Sequence, residues 1–138
     1  MDILLMNINE LEEHEEVEFR QLERLKKQIR KDKMLKRPIV VDKNTKTIID
    51  GHFRFNSLKQ LGYSKIPVFL IDYSSPEILI RTWRDREKIT KENVLFAGLN
   101  GKKFPPKTSK HMIKIGNKLK HISAVERRVN IPLKKLRG

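Results

Sequence analysis

The sequence predicts a small α+β domain in which helices pack against a mixed sheet. Short apolar runs rich in β-branched residues alternate with segments whose apolar residues keep helical spacing, and turn-forming residues separate them. The chain has 138 residues, of which 38% are hydrophobic, so it is long enough for one core and short for two. We therefore expect a core over residues 1–100 and a basic extension over residues 101–138 that folds back on it.

The composition excludes several classes of protein. The chain contains no cysteine, which rules out disulfides, thiolate metal sites and any mechanism that uses a thiol, and which fits a cytoplasmic protein. Its apolar runs, such as Ile39–Val41, are far shorter than the ~20 residues of a spanning helix, and no signal-peptide pattern opens the chain. We expect no membrane partner.

The net charge of +14 is unevenly distributed. Residues 102–138 are rich in Lys and Arg and contain a single acidic residue, Glu126. Such asymmetry fits an anionic partner, including nucleic acid, and fits equally well the ion-rich surface of a thermophile protein. Charge alone therefore leaves both interpretations open.

The first elements are a strand and a long helix. Residues 2–8 form a short apolar strand, and the acidic stretch 10–18 leads into the helix, where the helix dipole favours carboxylates. Arg37-Pro38 ends this region, because a proline disfavours helical backbone in the residue before it. The apolar positions with helical spacing are Phe19, Leu22, Leu25 and Ile29.

A hairpin and a second helix follow. Ile39–Val41 and Thr47–Asp50 are β-branched runs joined by a Lys- and Asn-containing turn, which predicts two adjacent strands. Phe55, Leu58 and Leu61 then recur at three-residue spacing before Gly62, which predicts a helix of about three turns with a glycine stop.

The rest of the core is expected to contain two strands and a third helix. Ile66–Ile71 is a strand with Pro67 at its start or on an edge, and 77–84 is a strand because of its β-branched residues. Thr90 is a plausible N-cap for a helix over 90–99 that stops near Gly98.

The basic extension is expected to be mostly irregular. Prolines prevent regular structure in residues 102–111, which we interpret as a binding loop or an extended arm. Two short extended pieces are predicted beyond it, over 112–115 and 129–133.

The turn after the predicted strand Thr47–Asp50 has the features of an anion site. Gly51 permits an unusual backbone conformation directly before a helix, so free amide groups and the positive end of the helix dipole lie beside Asp50. The guanidinium of Arg54 is one turn away. The sequence therefore predicts a phosphate site at the start of the second helix.

These residues resemble those of a known superfamily. The Asp-Gly-x-x-Arg turn, followed by a helix ending in Leu-Gly-Tyr and then by Ile-Pro-Val, resembles the ParB/sulfiredoxin fold. A His-Glu pair and a Pro-Pro-Lys-Thr loop narrow the resemblance to the free serine kinases of that superfamily. The matching positions are Asp50, Gly51, Arg54, Leu61–Tyr63, Ile66–Val68, His14-Glu15 and Pro105–Thr108.

The resemblance implies a kinase that uses ADP or ATP with Mg²⁺ to phosphorylate free L-serine. Gly51, His52 and Arg54 would hold the phosphates, and Asp50 would orient the turn, take part in catalysis or approach the metal. Glu15 would act as general base toward the serine hydroxyl. The residues implied for the amino-acid side of the site are His14, Trp83, Thr108, Ser109, Lys110 and His111.

Three positions depart from the family pattern and leave alternatives open. Phe53 stands where the family turn has His, and Ser109 and Lys110 replace Thr and Arg, so a bidentate carboxylate contact would become a point charge. The alternatives are a ParB-like protein that binds DNA through residues 102–138, with or without nuclease activity, and an inactive nucleotide-binding regulator. Sulfiredoxin chemistry is excluded, because it needs a cysteine at the position of His52.

Overall fold

The computed structural model describes residues 3–82, 89–106 and 108–138, and it has the α+β architecture that the sequence predicts. None of the described helices is long and apolar enough to cross a membrane. The helices are α1 (Phe19–Asp32), α2 (His52–Gln60) and α3 (Lys91–Asn100). The strands are β1 (Ile3–Asn7), β2 (Met34–Leu35), β3 (Ile39–Asp42), β4 (Ile48–Asp50), β5 (Lys65–Ile71), β6 (Ile78–Thr82), β7 (Ser109–Ile115), β8 (Lys118–His121) and β9 (Ile131–Pro132).

The strands form three sheets. The largest has the order β1-β5-β3-β4, with β3 and β5 parallel and the other neighbours antiparallel. A second sheet has the order β6-β7-β8, so β7 pairs with β6 of the preceding region on one side and with β8 on the other. The third pairs β2 with β9 near the end of the chain. Residues beyond 101 therefore contribute strands to two of the three sheets.

The described apolar side chains form two neighbouring cores. One lies between α1, α2 and the inner face of the largest sheet, and it includes Phe55, Leu133 and Leu136. The other lies on the opposite face, where Val40 and Ile49 meet Tyr73 and residues of α3. Because β3 and β4 are covered on both faces, their residues are almost completely buried. The turn that follows β4 is consequently held from both sides.

Several element boundaries differ from the sequence expectation. The extended stretch predicted from residue 112 begins at Ser109, because β7 pairs with β6 along its whole length. The helix expected to stop near Gly98 continues to Asn100 and is capped by Gly101 in the left-handed region. Gly98 instead allows close approach, since a Cβ there would lie 2.9 Å from Thr47 Oγ1. The short strands β2 and β8 were not predicted from the sequence.

Pro67 lies in an inner strand. It pairs with Leu5 of β1, whereas the parallel pairing of β5 with β3 begins only at Val68. A proline lacks the N–H that a central position needs, and here it precedes the residues that are paired on both sides. The sequence placed Pro67 either at the start of its strand or on a sheet edge. The structure shows the first of these, since Pro67 lies near the start of an inner strand.

Candidate functional site

The turn between β4 and α2 is built around Gly51. Its φ is +107°, and a Cβ at this position would lie 2.4 Å from Ile39 Cγ2 and 3.2 Å from Arg54 Nη2. A side chain would therefore be both conformationally strained and sterically blocked. The turn brings the backbone of α2 directly onto β3, so the helix begins at a fixed place beside Asp50.

The first turn of α2 has amide groups available for an anion. Glu18 caps α1 and Thr90 caps α3 through side-chain oxygens, but no side chain caps α2. The first amides of a helix have no intrahelical partner, and the helix dipole places partial positive charge there. The start of α2 therefore has the uncapped amides that the predicted anion site requires.

Arg54 is held by three acceptors. Its Nη1 donates to the carbonyl of Pro38, and its Nη2 lies 3.3 Å from Asp50 Oδ2. The same Nη2 lies 3.0 Å from Glu126 Oε1, a contact across 72 residues that sequence reasoning missed. The signal that could have found it is the position of Glu126 as the single acidic residue in the basic stretch 102–138.

Glu126 keeps a proton more tightly than an ordinary glutamate. Burial raises its pKa to about 8, and a hydrogen bond with Asp50 acts in the same direction, while Arg54 opposes both. One guanidinium faces two carboxyl groups, so its single charge balances only one carboxylate. Glu126 therefore stays largely protonated at neutral pH.

Three of the four histidines form a buried cluster. The ring centroid of His14 lies 4.6 Å from that of His52 and 5.8 Å from that of His111. Burial lowers the pKa of His14 to about 4 and lowers the pKa values of His52 and His111 well below the usual range. All three rings are therefore neutral at pH 7.

Each ring in this cluster has a defined partner. His14 Nδ1 donates to Ile48 O at 2.7 Å, and the backbone N–H of His14 donates to His52 Nε2 at 3.2 Å. His111 Nε2 lies 2.6 Å from the Tyr73 hydroxyl. The imidazole of His52 thus faces the interior, so its backbone amide is the part that remains for a phosphate contact.

Glu15 lies between the first helix and the basic extension. Glu15 Oε1 accepts hydrogen bonds from Ser109 N at 2.9 Å and from Ser109 Oγ at 3.0 Å. Ser109 Oγ also lies 3.0 Å from His14 Nε2. The backbone supports this arrangement, because residues 14–16 pair with Phe104 as a short parallel bridge. The predicted general base is therefore fixed by a residue 94 positions away.

The other predicted amino-acid ligands have different positions. Thr108 is buried and donates to Pro105 O at 2.6 Å, so its hydroxyl stabilises the proline loop. Lys110 is half-buried in β7, and His111 is buried against Tyr73, where it also lines the cavity described below. Trp83, which was predicted to line the same side, lies outside the described residues.

One cavity of about 440 Å³ joins the two halves of the predicted site. Its lining includes the start of α2 together with Glu15 and Ser109. Phe53 also lines the cavity and presents an apolar ring where a hydrogen-bonding ring was expected. The lining residues are Glu15, Leu25, Ile49–Arg54, Ser109, His111 and His121.

The described residues contain no group of three or more side chains that could hold a metal ion by themselves. Mg²⁺ in phosphoryl-transfer sites is bound through one or two carboxylates together with substrate phosphates. Asp50 supplies one such carboxylate at the cavity, already paired with Arg54. The donor set therefore fits a cation that arrives with a nucleotide, and not a preformed metal site.

Comparison with known sequences finds related proteins in archaea. The chain is 38% identical over 84 residues to an ATP-dependent L-serine kinase of Desulfurococcus mucosus, covering 58% of this chain and 33% of that protein. It is 30% identical over 112 residues to an ATP-dependent L-serine kinase of Staphylothermus marinus, covering 72% and 44%. It is 46% identical over 55 residues to a ParB-like protein of Sulfolobus acidocaldarius, covering 40% and 27%. The chain thus spans less than half the length of these relatives, and no protein-family model matches it.

Comparison with solved structures shows the fold. A conserved hypothetical protein from Pyrococcus furiosus superposes with a TM-score of 0.84 at 14% identity, covering 99% of this chain and 97% of that chain. A free serine kinase mutant in complex with ADP gives a TM-score of 0.84 at 14% identity, with 99% and 94% covered. SbnI from Staphylococcus aureus gives 0.70 at 16% identity, with 97% and 88% covered. These findings agree with the resemblance indicated by the motifs: the chain is similar in sequence to two L-serine kinases and a ParB-like protein, and it shares its fold with a free serine kinase.

Proposed function

We propose that this chain is a nucleotide-dependent kinase of free L-serine that makes O-phosphoserine. The nucleotide phosphates would lie at the start of α2, beside Gly51 and Arg54, and Glu15 would act as the general base. The proposal is supported by the names of the two L-serine kinases that share 38% and 30% identity with the chain. It is supported equally by the shared fold with a free serine kinase that binds ADP.

The observation that carries the proposal is the shared cavity. Phosphoryl transfer needs an anion cradle and a base on opposite sides of the reacting groups. The uncapped start of α2 and the carboxylate of Glu15 line the same cavity, although they come from distant parts of the sequence. A volume of about 440 Å³ lies in the range of ~300–1,000 Å³ typical of small-molecule sites.

The proposed chemistry is a direct transfer. Glu15 takes the proton of the serine hydroxyl as that oxygen bonds to the terminal phosphorus, and the bridging P–O bond breaks with its electron pair leaving on the nucleotide. The amides of α2 and Arg54 stabilise the charge on the transferred group. Because the ring of Phe53 offers no hydrogen bond, the backbone amides and Arg54 carry the phosphate contact.

A divalent cation would accompany the nucleotide. Mg²⁺ bound to the phosphates would reduce their charge during transfer, and Asp50 is the described cavity carboxylate that would contact it. We propose ATP as the phosphate donor, because the relatives with the higher identities are named ATP-dependent, whereas an ADP-dependent relative from Thermococcus kodakarensis shares 24% identity.

The test is formation of O-phosphoserine from L-serine, Mg²⁺ and either ATP or ADP. Wild-type protein should form product, and Glu15→Gln should lower the rate by about 10²-fold or more, the scale of general-base catalysis. Glu12→Gln is the matched control, since Glu12 is exposed on the same segment and does not line the cavity. Absence of product with both nucleotides would refute the kinase assignment.

A second candidate function is DNA binding through the basic extension. The tip of the β7–β8 hairpin presents Lys114, Lys118 and Lys120, all exposed, and a relative is named ParB-like. Phosphate-backbone contacts by such a patch would weaken steeply with salt. This function predicts duplex binding that is measurable in low salt and falls steeply across a salt series. The binding should be lost in a Lys114→Ala/Lys118→Ala/Lys120→Ala variant. A flat salt response would contradict it.

A further inference from the structure

The hydroxyl of Ser109 has two hydrogen-bond acceptors in reach and only one proton to give. Glu15 Oε1 and His14 Nε2 each lie 3.0 Å from Ser109 Oγ. The Ser109 backbone N–H separately holds Glu15 at 2.9 Å, so the carboxylate stays in place whichever way the hydroxyl points. The trio is therefore one proton short of satisfying both contacts.

The tautomer of His14 is fixed by the backbone. Ile48 O can only accept a hydrogen bond, so His14 Nδ1 carries the proton. His14 is completely buried, and burial lowers its pKa to about 4, so the ring is neutral and Nε2 presents a lone pair toward Ser109. His14 can consequently accept the Ser109 proton but cannot donate one.

Two hydroxyl orientations follow from these constraints. While Glu15 is ionised, the hydroxyl donates to the carboxylate, because a charged acceptor is stronger than a neutral ring nitrogen. When Glu15 carries a proton on Oε2, Oε1 becomes a neutral acceptor that the Ser109 backbone N–H still holds, and the hydroxyl can turn to His14 Nε2.

We propose that Ser109 and His14 are positioning residues for Glu15, forming a hydrogen-bond switch that stabilises Glu15 after it has taken the substrate proton. The inference rests on the proposed function. No bond other than that of the transferred proton is made or broken by the switch: Ser109 keeps one proton throughout, and only the direction of its hydroxyl changes. Because the hydroxyl bond to His14 replaces the charge-assisted bond that Glu15 loses on protonation, the switch favours the chemical step over substrate binding.

The kinetic test separates the chemical step from binding. Ser109→Ala keeps the backbone N–H that holds Glu15 and removes the hydroxyl, so kcat should fall about tenfold with KM for serine and nucleotide unchanged. Ser109→Thr should restore most of the rate, since it keeps a hydroxyl at a strand position that accepts β-branched residues. Ser74→Ala, an exposed serine outside the cavity, is the control.

A second readout does not depend on activity. In ¹⁵N spectra of histidine-labelled protein at pH 7, His14 should be protonated at Nδ1 only. Glu15→Gln leaves a neutral amide oxygen as the acceptor at Ser109, so the hydroxyl should turn to His14 and shift the Nε2 resonance upfield. The inference would be overturned if His14 of the wild type were protonated at Nε2, if the Nε2 resonance did not move in Glu15→Gln, or if Ser109→Ala kept full activity. None of these results would affect the kinase assignment. Absence of phosphoserine from wild type would refute the kinase assignment, and the spectra would still report on the switch.

Discussion

The carboxylate of Glu126 lies 3.0 Å from Arg54 Nη2, although the two residues are 72 positions apart. Arg54 belongs to the helix start that is proposed to bind phosphates, and Glu126 belongs to the basic extension. The contact couples a residue near the end of the chain to the predicted anion site.

Nucleotide affinity should depend on the protonation of Glu126. Burial raises its pKa to about 8, so the carboxyl group gains negative charge as the pH rises through this value and competes with phosphate for Arg54. Wild-type affinity for ADP should fall about tenfold, or ~1.4 kcal/mol, from near pH 7 to near pH 9. Glu126→Gln should remove this dependence in calorimetric titrations. A parallel decline in both proteins would show that another group is responsible.

Arg54→Lys should weaken nucleotide binding without removing the positive charge. A lysine keeps a positive charge beside Asp50 and Glu126, but it loses the planar fork that contacts two oxygens at once. We expect about a tenfold weaker Kd for ADP and a folded protein. Arg24→Lys on the exposed side of α1 provides the matched control. Equal affinity of the two variants would place the phosphates elsewhere.

Acid should destabilise the protein through its buried histidines. The pKa values of His14, His52 and His111 are lowered in the folded state, so the unfolded chain binds more protons below about pH 6.5. Their stabilising contribution is complete above that pH and is lost as the pH falls toward the folded pKa values. For His14 alone the shift to about 4 corresponds to about 3 kcal/mol.

Urea unfolding between about pH 6.5 and pH 5 checks this sign and its size. The free energy of unfolding should fall with decreasing pH, with a slope that approaches ~1.4 kcal/mol per pH unit for each buried histidine. His52→Gln keeps an amide oxygen that can accept from His14 N and should lower the slope by about one histidine's share. An unchanged slope in this variant would contradict neutral burial of His52.

Gly51→Ala should destabilise the fold more than Gly62→Ala does. Both glycines have positive φ, but a Cβ at Gly51 would clash with Ile39, whereas nothing lies within 4 Å of a Cβ at Gly62. The left-handed conformation should lower the free energy of unfolding of each variant by ~1–2 kcal/mol. Overpacking should lower that of Gly51→Ala by a further ~1–3 kcal/mol. The measurement is the urea midpoint of each protein. Equal losses would mean that the β4–α2 turn tolerates a side chain.

The parts of the site that the sequence predicted depend on local signals. Gly51 before a helical pattern indicates a strand, a turn and a helix start, and the hydroxyl of Thr90 indicates a cap; both features are present in the structure. Such signals involve residues within one turn of each other, so a single sequence contains them.

The parts that were missed depend on contacts between distant segments. The Glu126–Arg54 pair and the link from Glu15 through Ser109 to His14 span 72 to 95 residues, and no local pattern encodes them. The sequence also gave no reason to bury three histidines, because the ring of His52 turns inward only when His14 and His111 are packed beside it. Tertiary packing decided these positions.

The most direct test of the account is to titrate ADP into isotope-labelled protein and follow the backbone amides. We predict that the resonances of His52, Phe53 and Arg54 shift together and saturate, since their N–H groups form the first turn of α2. Shifts confined to the β7–β8 hairpin, or no saturation, would contradict a phosphate site at the start of α2.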